Sequence, residues 1–170
     1  MEEVFFREDL PHDIKRQIAL EFPAPYLIEL CTKYPQIGKG VCESNDFWRL
    51  KLQRDFPTYF KYFTDHNISI KNPKNAYMRK VAYISENLEY ISNKHFPHFT
   101  DSERKVMFVR LYNFYQEVLN KNIAPDEIFH DRLSDSKAIN IEDFRIELGR
   151  VILRLLSKEH AIKHPGITGY

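Results

Sequence analysis

Glycine is scarce in this chain: 5 in 170 residues, two of them in the stretch HPGITGY near the end. A sequence so poor in the residue that tolerates left-handed backbone has little material for phosphate-cradling loops, bulged sheets or tight hairpins. It contains no G-x-S-x-G elbow, no P-loop and no dinucleotide fingerprint. An excess of charge of one sign is also missing. The 25 basic residues meet 24 acidic ones, and a net charge of +1 is no electrostatic footprint for nucleic acid. No apolar run approaches the roughly 20 residues of a membrane span. The opening MEEVFFREDLPHD is too charged for a signal peptide. Only two cysteines occur, Cys31 and Cys42, and they match no metal spacing. They read as two small buried hydrophobes in a reducing compartment rather than as a disulfide framework. The expected location is cytoplasm or nucleus.

What the chain does have is aromatic and apolar mass. Phe and Tyr number 13 and 10, and apolar residues make up 43% against 29% charged, which is a globular balance rather than a disordered one. The length suits one ordinary domain or two very small ones.

Apolar spacing is helical almost throughout. His12 or Asp13 opens a first helix with Ile14, Ile18 and Phe22 on one stripe. FPAP interrupts it, and Tyr26, Leu27, Leu30 and Cys31 make a second short helix that stops before Pro35. Ser44 or Asn45 caps a third, on which Trp48, Leu52 and Phe56 share a face with Phe47 beside them. The charged run KLQR is expected on the solvated side of that helix. Residues 58–72 form an ordered connector with short turns. Asn72-Pro73 then starts a long helix bearing Tyr77, Val81, Ile84, Leu88 and Ile91. Thr100 and Glu103 have capping-box spacing ahead of a stripe of Phe108, Leu111, Tyr115 and Leu119, widened by Val109 and Tyr112. A short helix is expected near Pro125. Asn140 caps a last helix carrying Ile141, Phe144, Leu148, Val151, Leu155 and Ile162. No strand of useful length is found; the NISIK alternation is too short for a sheet. The expected fold is all-α, divided into residues 1–57, a connector 58–72, and a C-terminal helical region 73–170 that can share one core with the first.

Catalytic chemistry finds little support. His95 and His98, and His160 and His164, have metal-like separations, but Pro97 splits the first pair and no Cys or carboxylate completes a familiar zinc set. The acidic pairs Asp101/Glu103, Asp126/Glu127 and Glu142/Asp143 all fall in first helical turns, where they complement the helix dipole. Lys33 and Lys39 are the only basic context near the cysteines, too little to mark a reactive thiol. The aromatic–basic stretches PTYFKYF and RLYNFY fit core packing better than base stacking. No catalytic residue, metal or cofactor is expected.

One stretch carries a resemblance. DLPHDIKRQIALEFPAPYLIELCTKYPQIGKGVCESNDFWRLKLQRDFP resembles an F-box over residues 9 to about 56. Leu10-Pro11 matches the opening, Ile14 and Ile18 the first-helix anchors, Leu27, Leu30 and Cys31 the second helix, and Trp48 the closing Phe-Trp. Phe-Trp followed by Asp-Phe-Pro, and KNPKNAY further on, is similar to the F-box-like proteins of large cytoplasmic DNA viruses. Pro35, Gly38 and Gly40 fall where typical members keep a continuous helix.

The resemblance implies an N-terminal three-helix bundle followed by about three longer helices. It implies protein binding, not catalysis. Leu10, Pro11, Ile14, Ile18, Leu27 and Leu30 would form a surface for the small adaptor of a cullin-based ubiquitin ligase. Trp48, Leu52 and Phe56 would anchor the bundle, and the C-terminal helices would present a target protein. Neither nucleic acid nor membrane is an expected partner. If the chain is viral, it would act in the host cell or be carried in the virion. The alternative is a structural or scaffolding protein that keeps the bundle without recruiting a ligase.

Overall fold

A computed structural model describes residues 10–34, 39–121, 129, 133 and 138–161. The described residues form eight helices and no strand. They are α1 (His12–Leu20), α2 (Ala24–Lys33), α3 (Lys39–Cys42), α4 (Asn45–Asp55), α5 (Pro57–Asp65), α6 (Pro73–His95), α7 (Asp101–Lys121) and α8 (Ile141–Ala161). The all-α expectation holds. The short helix expected near Pro125, Ile162 and His164 lie outside the described residues. The helices fall into two compact units, one up to Val81 and one from Ala82 on, so that α6 contributes to both.

In the first unit, helix starts follow the sequence closely. The Ser44 hydroxyl accepts from the Phe47 amide at 3.2 Å and caps α4. Asn72 does the same for α6, its Oδ1 accepting from the Asn75 amide at 3.1 Å, with Pro73 at the first helical position. α1 packs against α3 and α4, and α4 against α3 and α5. Trp48, Leu52 and Phe56 are fully buried. The Trp48 ring lies 5.3 Å from that of Tyr77, and its indole N–H donates to the Cys42 carbonyl at 2.9 Å. The tryptophan's one polar atom is thereby satisfied inside the core.

Four expectations for this unit need correcting. Residues 57–65 are a helix rather than short turns: Pro57 starts α5, and Tyr59 and Phe63, one turn apart, are both buried. Tyr59, Phe60, Tyr62 and Phe63 lie on one side of α5 and Lys61 and Asp65 on the other, a period that runs for little more than two turns. On α1 the buried residues are Lys15 and Ala19, with Phe22 buried just beyond its end, whereas Ile14 is 45% exposed and Ile18 half-buried. Small Ala19 permits close packing, and the aliphatic stem of Lys15 covers apolar surface. Lys51, in the run expected to face solvent, is buried. Finally, Cys31 and Cys42 are joined as a disulfide with Cα atoms 5.5 Å apart, tying α2 to α3. Their eleven-residue separation and shared burial make pairing sterically open.

In the second unit Ile84, Leu88 and Ile91 of α6 are buried, and α6 meets α8 through Asn87–Arg154, Lys94–Glu147 and His95–Phe144 contacts. Phe144 is its aromatic hub: the rings of Phe96, His95 and Phe129 lie 5.1, 5.4 and 5.8 Å away. Thr100 and Glu103 form the reciprocal capping box of α7, and Asn140 Oδ1 accepts from the Glu142 and Asp143 amides to cap α8. On α7 the buried stripe is Met107, Leu111, Phe114, Tyr115 and Val118, joined by Tyr112. Phe108, Val109 and Leu119 sit only partly buried at its margin.

Candidate functional site

Two surfaces combine exposed apolar side chains with defined local geometry. The first is the outer edge of α1. Pro11 sits at the N-cap position, where its carbonyl accepts from the Ile14 and Lys15 amides at 3.1 and 3.2 Å. That turn places Pro11, Ile14 and Ile18 at steps of three and four residues, on one helical face. Pro11 and Ile14 are exposed, and Leu10 and Ile18 are half-buried. Leu27 and Leu30, grouped with them from the sequence, are buried in the unit's core at 0% and 3% exposure. They pack inward from α2, so the edge consists of α1 residues alone.

A polar network that the sequence did not disclose holds this edge in place. The Lys51 ammonium donates to the Leu20 and Phe22 carbonyls at 2.9 and 2.6 Å. It thereby satisfies backbone acceptors where α1 ends. It also pairs with Asp55 at 3.1 Å, and the Tyr77 hydroxyl donates to the same carboxylate at 2.6 Å. Burial pushes the Lys51 pKa down, and Asp55 opposes that shift. At the other end of α1 an added Cβ on Gly40 would overlap the His12 imidazole, so that ring would have to move to admit any side chain at position 40.

The second surface is a cleft of about 490 Å³ in the second unit, between the C-terminal half of α6 and the α8 segment from Asp143 to Arg154. Glu147 is its centre. Its carboxylate accepts from Lys94 at 2.9 Å and from His95 Nε2 at 2.8 Å. Desolvation pushes the Glu147 carboxyl up, but the hydrogen bonds from Lys94 and His95 outweigh it and hold it below the usual carboxylate range. The same bond from Glu147 raises Lys94. Arg150 and Arg154 line the α8 wall, and Arg154 donates to Asn87 Oδ1 at 2.8 Å. Tyr90 and Ile146 are 63% and 45% exposed at the rim.

His95 therefore hydrogen-bonds Glu147 within the unit, and His98 stands exposed in the turn after α6. No local pattern marks the His95–Glu147 contact, because its partners are 52 residues apart. Of the acidic pairs, Asp101/Glu103 and Glu142/Asp143 fall in first turns as expected, and Asp126 and Glu127 lie outside the described residues. Among the described residues no group of three or more His, Cys, Asp or Glu is placed to hold a metal ion. None of their helices is long and apolar enough to cross a membrane. No protein-family model, curated protein or solved structure matches the chain.

Proposed function

We propose that this chain is a non-enzymatic protein-docking module of F-box-like kind. It docks through the outer edge of α1 onto the small adaptor of a cullin-based ubiquitin ligase and presents a target protein through its C-terminal helices. The observation that carries this reading is the exposure of Pro11 and Ile14, flanked by half-buried Leu10 and Ile18. Apolar side chains left at the surface of a helix whose inner face is already filled suit a compact protein contact. Trp48 takes no part in that contact; it holds the core beneath it.

The test is retrieval from eukaryotic cells expressing the tagged full-length chain. The wild type should bring down adaptor and cullin. The triple variant Leu10→Ala, Pro11→Ala, Ile14→Ala should not, with its helical circular dichroism unchanged. A well-folded wild type that retrieves no adaptor overturns the reading.

One observation favours a second reading, a scaffold within a particle. Disulfides persist on virions and in oxidising compartments and are rare in the cytosol, where the ligase works. The Cys31–Cys42 bond fits the former. Thiol trapping in expressing cells separates the two: a protein oxidised and held in a particle at fixed stoichiometry supports the scaffold, and a reduced one bound to adaptor supports the ligase reading.

A further inference from the structure

The cleft of the second unit carries uncompensated positive charge beside exposed apolar side chains. Lys94 and His95 are both engaged by Glu147, which their hydrogen bonds neutralise locally. Arg154 bonds only a neutral amide oxygen among the described residues, and Arg150 has no hydrogen-bond or ion-pair partner among them. The two arginines are four residues apart on α8, so they face the same way one turn from each other. Like charges at that spacing disfavour the helix when nothing lies between them. An anion bridging them removes the repulsion, and a carboxylate suits a guanidinium through paired hydrogen bonds.

The apolar side chains narrow the ligand further. Tyr90 and Ile146 project at the rim, and Leu153, seven residues after Ile146 on the same helix, is 58% exposed. Asp143 also lines the cleft. A fixed carboxylate there repels a continuous polyphosphate backbone, but it leaves room for one or two carboxylates set beside an apolar group. A volume of about 490 Å³ admits a few side chains, not a folded domain.

We propose that this cleft binds a short acidic peptide segment of a partner protein, seating one apolar side chain against Tyr90 and Ile146 and a flanking carboxylate on Arg150 and Arg154. This deepens the reading above by naming the surface that takes the target. The two fail separately, because adaptor capture through α1 and peptide binding in this cleft are read in different assays.

The experiment is fluorescence anisotropy on the full chain. The probes are fluorescein-labelled peptides in which glutamates flank Leu, Phe or Trp, the same peptides with Lys for Glu or Ser for the apolar residue, and a labelled oligo-uridylate. The acidic–apolar peptides should bind, more weakly as salt rises. Arg150→Glu should weaken them by about tenfold or more. Lys71→Glu, an equal charge change at a residue that does not line the cleft, should leave binding within about twofold, as expected for a solvent-screened charge. Circular dichroism of Arg150→Glu and of the milder Arg150→Ala checks that both fold. Absence of acidic-peptide binding, equal loss in Lys71→Glu, or tighter oligo-uridylate binding that Arg150→Glu abolishes would each overturn the proposal.

Discussion

Lys51 places an ammonium where α1 ends, among groups that would otherwise lack partners. Its three contacts, the Leu20 and Phe22 carbonyls and the Asp55 carboxylate, all lie within 3.1 Å. Removing the charge strands Asp55 with only the Tyr77 hydroxyl and leaves two carbonyls unmatched. Breaking one side of a buried ion pair costs about 3–5 kcal/mol. Lys51→Met should therefore lower stability by about that amount in urea unfolding, despite similar side-chain volume. A loss under about 1 kcal/mol, the scale of a surface pair, would mean the ammonium is solvated. In the sequence this lysine is one of several charged residues after Trp48. Only the packing of α1 beside α4 shows which of them turns inward.

Between elements, the bond from α2 to α3 and the pair from α6 to α8 do comparable work by different physics. The Cys31–Cys42 disulfide closes a loop spanning eleven positions and limits the unfolded chain. Cross-links of that size contribute about 2–4 kcal/mol. Cys31→Ser with Cys42→Ser should lose about that much, and reductant should lower the midpoint of the wild type but not of the variant. The Lys94–Glu147–His95 cluster acts through pH. Glu147 has a folded pKa below its ordinary value of 4.5. Its contribution is therefore complete above that value and is lost as pH falls through the folded pKa. Melting temperature should drop on acidification below pH 4.5 in the wild type, with a shallower slope in Glu147→Gln. Equal slopes would remove Glu147 from the account. The side-chain caps were legible at this scale: Ser44, Asn72, Thr100 and Asn140 cap helices as their local sequence indicates, because a cap bonds within three residues, whereas α1, α2 and α5 start without one. Links across tens of residues have no such local mark.

At the scale of the whole molecule, the question is which apolar residues are core and which are surface. Leu27 and Ile14 look alike as helical stripe residues, yet one is buried and the other is 45% exposed. Leu27→Ala should cost about 2–5 kcal/mol through lost burial and a cavity. Ile14→Ala should change stability by no more than about 0.5 kcal/mol, as surface substitutions do. Thermal and urea unfolding of the two variants side by side checks this. Similar losses would place Ile14 in the core and remove the docking edge. The division into two units within α6 also belongs to this scale. A continuous amphipathic helix gives no sign in its own sequence of where its packing partners change.

The sequence alone determined that the chain is helical, where most helices start, and that Trp48, Leu52 and Phe56 face inward. Those properties follow from spacing and capping, which act over one or two turns. Tertiary structure decided that Lys51 is buried in an ion pair and His95 in a hydrogen bond to Glu147, that Cys31 meets Cys42, and that Ile14 rather than Leu27 meets solvent. Each of those depends on the rotation of one helix against another, and helical periodicity defines a face without saying what lies opposite it.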